Sequence, residues 1–417
     1  MTLLLKAATI IDKSSPFHHQ KKDILIENGV ITKIANSLKS QEHFTEIKLK
    51  NLYVSQGWFD SSVCFGEPGY EERETIENGL NTAAKSGFTA VAVNPNTYPV
   101  ADNKSTIEFL KNKACNFATK LYPIGNLTKA AESKDIAELY DMQNYGAVAF
   151  GDYNKPVCNP NLLKIALQYA QNFNGLVMSF PQDNSIASEG LVNEEINSTK
   201  LGLKGIPALA EELQIARDLF ILEYTGGKLH IPTISTEKSV KLIKEAKKKG
   251  LNVTCSVAAH HLVLTDDELH SFDANTKVLP PLRTSKDTKA LQKGLIEGAI
   301  DMVTSDHNPI DIEHKKVEYI NAKFGTIGLE SLFGALNKVV PLDVLITALT
   351  QNPRKRFNIE TTSINEGEKA NLTLFNPEFE YEFKESNILS TSKNSIFMNK
   401  KMNGKVYGII ANNKTIL

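Results

Sequence analysis

The chain is poor in the features that would assign it to a special class. Its four cysteines, at 64, 115, 158 and 255, stand far apart with no Cys-x-x-Cys spacing, which excludes a disulfide framework and favours a reduced, cytoplasmic setting. No stretch approaches the ~18 consecutive apolar residues of a membrane span. The N-terminal run MTLLLKAATIIDKSS meets a charge at Lys6 and has no small-residue cleavage site, so it reads as a β-strand and not as a signal peptide. The formal net charge is −1, which gives no general attraction to nucleic acid or to a membrane surface. There is no low-complexity segment, internal repeat or obvious linker.

What remains is 417 residues, 41% of them hydrophobic and 23% charged, enough for one large domain plus a smaller one around a sizeable core. Residues 1–53 carry strand-like runs, LLLKAATII, DILIENGVITKIA and EIKLKNLYVS, with Asn28-Gly29 as a hairpin signal. The other end, ANLTLFNPEFEYEF and NSIFMNKKMNGKVYGIIANNKTIL, again reads as strands with Asn-Gly and Asn-Asn turns. One β-sandwich built from residues 1–53 and 355–417 is expected.

Between 54 and 354 short apolar runs alternate with amphipathic stretches. GFTAVAVNPN, TKLYPIGNL, GAVAFGD, GLVMSF, KLHIPTIST, NVTCSVAAHHLV and AIDMVTSDH read as buried parallel strands. NKSTIEFLKNKA, NPNLLKIALQYAQNF, IPALAEELQIARDLFILEYT, EKSVKLIKEAKKKG and TKALQKGLIEG read as helices between them. The alternation predicts an α/β fold, a (β/α)8 TIM-type barrel, with a doubly wound open sheet as the alternative that periodicity alone leaves standing.

Chemistry in such a barrel sits at the C-terminal strand ends, and the end of the first strand runs into Gly57–Thr75, GWFDSSVCFGEPGYEERET. Positions 62 and 64 share a strand face and point into the barrel mouth. This stretch resembles the class I dihydroorotases of the amidohydrolase superfamily, whose pattern there is Asp-x-His-x-His-x-Arg-Glu-Pro-Gly. The resemblance spans the whole chain. Its ordered landmarks include Asn94-Pro95-Asn96-Thr97, the stretch ending at Asp152, His260-His261-Leu262, Lys277 to Arg283, and Ser305-Asp306-His307. It implies the barrel, the sandwich of both chain ends, and a homo-oligomer.

It also implies a site that has lost its donors. The family's histidine ligand positions hold Ser62, Cys64, Phe180 and Thr233, while Gly66, Leu279 and Ile310 replace polar substrate or site residues. Asp152 and Asp306 are possible remnants, Asp306 matching the acid that binds metal and shuttles a proton. Asn96 falls on a substrate-binding asparagine, although Asn-Pro-Asn-Thr also simply makes a tight turn. His230 lies near position 233, but strand parity turns it to the opposite face and makes it a core histidine. The same parity argument places His260 and His261 on opposite faces.

Catalytic zinc needs at least three good donors, so no cofactor is expected, zinc returning only if the protein is an enzyme. Inactive homologues in this family support aspartate transcarbamoylase. The expected function is accordingly a non-catalytic structural partner of that enzyme in pyrimidine biosynthesis. The alternatives are an active dihydroorotase or related cyclic-amide hydrolase with an altered site, and a small-molecule binding protein that uses the pocket around Asn96 and Asp306.

Overall fold

The computed structural model describes residues 2–417. Eight parallel strands form the barrel: Trp58–Val63, Phe88–Val93, Lys120–Gly125, Ala149–Phe150, Val177–Met178, Leu229–Ile231, Val253–Ala258 and Met302–Thr304, each paired with the next in chain order. The ring closes between the first and last strands. The Cys64 N–H donates to the His307 carbonyl at 2.7 Å, and the Thr304 hydroxyl to the Ser62 carbonyl at 3.2 Å. Seven of the strands are the seven apolar runs read from the sequence, and the first is the stretch before the Gly-Glu-Pro-Gly loop.

Alternation along these strands sorts side chains into two cores. Phe59, Ala90, Ala92, Ile124, Ala149, Met178 and Met302 fill the barrel interior, where Phe357 plugs one end. Trp58, Val91, Val93, Val177 and Val257 face outward onto the helices. Small alanines opposite Phe59 and the methionines let large and small residues interdigitate at native density. The surrounding helices begin at side-chain caps: Thr75 for Ile76–Lys85, Asn103 for Lys104–Lys113, Asn159 for Pro160–Ala170 and Thr236 for Glu237–Lys248. Each cap accepts a backbone N–H that the first helical turn leaves unpaired.

Both chain ends enter one sheet. Strands Thr2–Ile11, Lys21–Glu27, Val30–Ala35, Thr45–Ile47 and Tyr53–Gln56 join Leu372–Glu382, Lys401–Ala411 and Lys414–Ile416, with Tyr53–Gln56 antiparallel to the start of Leu372–Glu382. Leu5, Ile10, Ile24, Ile26, Val54, Leu372 and Ile410 make its apolar core. Asn28 and Gly29 take φ of 50° and 79° in the tight hairpin between Glu27 and Val30, as that turn type demands.

Two local expectations fail. EIKLKNLYVS is not one strand, because the chain breaks around Asn51 (φ 45°) into two short ones. Asn403-Gly404 is not a turn but lies inside Lys401–Ala411, where the pairing slips and Gly404 takes φ 103°, a bulge of the kind a strand glycine often marks. The Asn412-Asn413 turn is present.

The lone tryptophan ties the two parts together. Trp58 is fully buried, its ring 5.0 Å from that of Phe333 and 5.6 Å from that of Phe375, and its indole N–H donates to the Ser55 hydroxyl at 3.0 Å. No helix of the described residues is long and apolar enough to cross a membrane.

Candidate functional site

At the C-terminal mouth of the barrel a single hydrogen-bonded chain crosses from the second strand end to the eighth. The Asn94 amide donates to the Ser62 hydroxyl at 2.9 Å, and Ser62 donates to Asp306 Oδ1 at 3.0 Å. The same amide reaches Cys64 Sγ at 3.6 Å, so positions 62 and 64 do point the same way. The phenol of Tyr153 stands beside both Asp306 and Cys64. Phe180, Thr233, Asp152, Met178 and Ile124 complete the wall, and the cavity left among them is about 10 Å³, room for about one water molecule.

The electrostatics follow from burial. Asp306 is 6% exposed, and desolvation pushes its carboxyl up to about 7, helped by the neighbouring Asp60 carboxylate and opposed by the Ser62 and Tyr153 hydroxyls. Asp60 is raised by burial as well. It nevertheless accepts from the Ser62 and Ser305 N–H groups at 3.1 and 3.0 Å and from the Thr304 hydroxyl, so of the two acids Asp60 is the one equipped to hold a charge. Burial pushes the Cys64 thiol up to about 12, with the Asp306 charge adding to it, and holds the Tyr153 phenol well above its usual range. Burial thus favours the neutral forms of Asp306, Cys64 and Tyr153.

Ser62, Cys64, Phe180, Thr233, Asp152 and Asp306 therefore all converge on this centre, but not as a ligand set. Asp152 turns away to clamp the loop after the third strand. Its Oδ1 accepts from Asn126 Nδ2 and from the Leu127 and Thr128 N–H groups at 3.0–3.1 Å, and its Oδ2 from the Thr128 hydroxyl at 2.5 Å. Phe180 offers no lone pair and fills space. Thr233 donates its backbone N–H to the Ser256 hydroxyl at 3.1 Å. A hydroxyl, a protonated thiol and one carboxyl already bonded to serine do not fit a catalytic zinc, which requires three good donors and an open position.

Among the described residues, the one group of three His, Cys, Asp or Glu side chains whose donor atoms converge lies elsewhere. His18, His19 and Asp343 bring theirs within 4.8 Å of one another. His18 Nδ1, however, accepts the Asp12 N–H at 3.1 Å, which places the ring proton on Nε2, facing Asp343 at 3.8 Å. His19 Nε2 is 3.0 Å from the other carboxylate oxygen. The trio is a polar latch between a loop and the helix Leu342–Leu349.

Three of the positions expected to contact substrate, Gly66, Leu279 and Ile310, carry no polar side chain. A Cβ on Gly66 would lie 1.9 Å from the Tyr70 carbonyl oxygen, so no arginine fits there without rebuilding the loop. Leu279 packs against Ile186 and Ile206. Ile310 is buried, its N–H donating to Asn394 at 3.1 Å. Asn96 is half-buried and stands beside Cys64.

Strand parity misplaced the histidines. The seventh strand ends at Ala258, and His260 and His261 sit in the helical turn Ala259–Leu262 with ring centroids 4.4 Å apart, not on opposite faces. His261 Nε2 lies 3.1 Å from the Pro280 carbonyl. His230 is a buried core histidine held well below its usual pKa by desolvation. Its strand ends at Ile231, so it is not set apart from position 233 by parity: His230 Nε2 and the Thr233 N–H both approach the Ser256 hydroxyl, at 3.3 and 3.1 Å.

Asn94, Asp60, Thr304 and Tyr153 were not singled out from sequence. Asn94 had a signal, since it is the first residue past the second strand, and Asp60 shares the face of position 62.

Eight parallel strands closed into a ring, with the candidate site at their C-terminal ends, define a (β/α)8 barrel of the TIM type. An L-hydantoinase (dihydropyrimidinase) from Arthrobacter aurescens matches with a TM-score of 0.85 at 20% identity, covering 100% of this chain and 97% of that one. A dihydropyrimidinase from Brevibacillus agri matches at 0.83 and 18%, covering 99% and 94%. The Dihydro-orotase-like family matches residues 53–239. Proteins named Dihydroorotase from Pelotomaculum thermopropionicum and Syntrophus aciditrophicus are each 38% identical, the first covering 100% of this chain and 99% of the relative, the second 97% of both. The chain belongs to the dihydroorotase family.

Proposed function

We propose that the chain is a dihydroorotase-family protein of pyrimidine biosynthesis that does not open the dihydroorotate ring and acts by association, as the structural partner of aspartate transcarbamoylase. The observation that carries this reading is the closed barrel centre. Asn94, Ser62 and Asp306 bond one another, with Tyr153 beside them, around a cavity of about 10 Å³, where a hydrolase would need a substrate-sized cleft and a means of generating hydroxide near neutral pH. A lone carboxyl with a pKa near 7 supplies neither. Gly66, where a Cβ would strike the Tyr70 carbonyl, leaves no carboxylate anchor on the loop after the first strand.

One observation favours a second reading, an active cyclic-amide hydrolase: relatives 38% identical over the full chain carry the name Dihydroorotase. Asp306 could then serve as the proton-transfer group. Two measurements on purified protein separate the readings. Ring opening of dihydroorotate by this chain alone supports the hydrolase. A stable complex with aspartate transcarbamoylase of the same organism, seen as added mass and altered transferase activity, together with no ring opening, supports the structural partner.

A further inference from the structure

Arg354 belongs to the helix Gln351–Arg356 and lies under the barrel, at the strand ends opposite Asp306. It is 4% exposed. Its guanidinium donates to the Gly57 carbonyl at 3.1 Å, to the Thr89 hydroxyl at 2.9 Å and to the Glu360 carbonyl at 3.1 Å. These acceptors tie it to the starts of the first two strands. All three are neutral, however, and they take up three of the five N–H groups that a guanidinium carries. Arg283 and Arg217 each have a carboxylate, Glu211 at 4.0 Å and Asp218 at 2.7 Å, whereas among the described residues none stands at such a distance from Arg354. Burial lowers its pKa accordingly, with Tyr122 and Glu360 opposing. A buried charge is ordinarily matched by one of opposite sign.

Arg354 lines a cleft of about 270 Å³ between the N-terminal end of the barrel and the sheet of the two chain ends. Junctions between domains are favoured places for ligand sites. The barrel side contributes Lys120 and Tyr122 from the third strand, and the sheet side contributes Lys369 and the tips of two hairpins. Those tips touch, since a Cβ on Gly29 would lie 2.6 Å from Asn413 Oδ1, so this wall is formed in advance of any ligand. Three cations, Lys120, Arg354 and Lys369, face one carboxylate, Glu360. That carboxylate is turned to solvent, its side chain 66% exposed and 3.9 Å from Lys369. Tyr122 stands near enough that the Arg354 charge opposes the effect of burial on its phenol, which adds an O–H donor to the same wall.

Positive charge and hydrogen-bond donors thus dominate the lining, and the group that answers both is an oxyanion. The volume falls below the roughly 300–1,000 Å³ of pockets for drug-sized ligands, which limits the ligand to a compact molecule. We propose that this cleft binds a small metabolite through an anionic oxygen group, a phosphate ester or a carboxylate, seated on Arg354 with Lys120 and Lys369 at the rim. The site does not depend on whether the barrel mouth is catalytic.

Isothermal titration calorimetry on the full chain, at an ionic strength held constant with sodium chloride, tests it with inorganic phosphate and succinate as separate probes. At least one should bind saturably at one site per chain, and the tighter of the two names the source of the anionic group. Lys120→Gln and Lys369→Gln should each weaken binding roughly 3-fold and together roughly 10-fold, the scale of exposed ion pairs. Glu360→Gln should tighten it roughly 3-fold, because it removes the competing carboxylate and keeps the backbone carbonyl that holds Arg354. Lys289→Gln, in the helix Ser285–Ile296, makes the same change of charge elsewhere and should leave the affinity unaltered. Arg354→Met should weaken binding at least ~10-fold, the scale of a hydrogen bond to a charged group; if circular dichroism shows that it does not fold, the Lys120 and Lys369 double variant and Glu360→Gln decide. Absence of saturable binding for both probes, an affinity indifferent to the double variant and to Glu360→Gln, or an equal loss in Lys289→Gln would each overturn the proposal.

Discussion

Replacing Asp306 by asparagine should stabilise the protein above neutral pH. Burial pushes the carboxyl up to about 7 in the fold against an ordinary value of 3.8, a difference of about 3 pKa units, or about 4 kcal/mol at 1.36 kcal/mol per unit. The folded-state pKa is raised, so the fold favours the protonated acid. The contribution is fully present below pH 4, declines between about 4 and 7 as the unfolded chain ionises more readily than the folded one, and is gone above 7. Asparagine has the same shape, carries no charge to desolvate, and can still accept from Ser62, which lies 3.0 Å from Oδ1.

Urea unfolding of wild type and Asp306→Asn at pH 5, 6, 7 and 8 reads the difference directly. The variant should be more stable at pH 8 by an amount on the order of 4 kcal/mol. The gap should narrow by ~1.4 kcal/mol per pH unit below 7. A variant equally destabilised at pH 5 and pH 8 would refute the reasoning, because it would mean that Asp306 is ionised in the fold and held there by a cation.

Elemental analysis of the purified protein should find well under one zinc per chain, and stoichiometric metal would return the hydrolase reading to first place. Gly66→Arg should lower the unfolding temperature and restore no ring opening, since the new Cβ meets the Tyr70 carbonyl oxygen at 1.9 Å; a stable, active variant would show that the loop opens freely. Arg283→Met should cost roughly 3–5 kcal/mol in chemical denaturation. It would leave Glu211 buried without its nearby cation, 4.0 Å away, and Asn193 and the Ile206 carbonyl without their donors. A loss below ~1 kcal/mol would contradict that account. Trp58→Ala should cost about 3–5 kcal/mol by emptying the space among Phe88, Phe333 and Phe375, measured by the same unfolding curves.

The fold was legible because the two hydrophobic periods were clean. Runs such as FTAVAV, alternating alanine inward and valine outward, can be little other than buried strands, whereas the helix Ile76–Lys85, which begins at the Thr75 cap, is not among the helices read from the sequence. Site positions were legible to the same extent, because they sit at strand ends whose order was known. What they do there was not. Parity arguments hold only while the chain stays in a strand: the sixth ends at Ile231 and the seventh at Ala258, before the residues to which parity was applied. The clamp formed by Asp152 depends on a loop more than 20 residues upstream, and no local pattern announces it. Nor could spacing reveal that Asn94, rather than Asn96, bridges Ser62 and Cys64.

The backbone of the centre retains a strain that its present side chains do not explain. Tyr153, Thr233 and Asp306 take φ of 54°, 48° and 48°, in a left-handed region that costs L-residues roughly 1–2 kcal/mol each and that a β-branched threonine adopts only under constraint. All three line the same cavity at three different strand ends. Strain of this kind persists where the surrounding structure over-determines it, and it gathers at active sites, ligand clamps and switch regions. The packing here does not call for it: Phe180 fills volume, Thr233 bonds through its backbone N–H, and Asp306 is better neutral. On the reading proposed above, a strained shell around a water-sized cavity is what would remain if selection kept the scaffold and ceased to act on the reaction. In this protein selection for shape would then act on surfaces away from the barrel mouth.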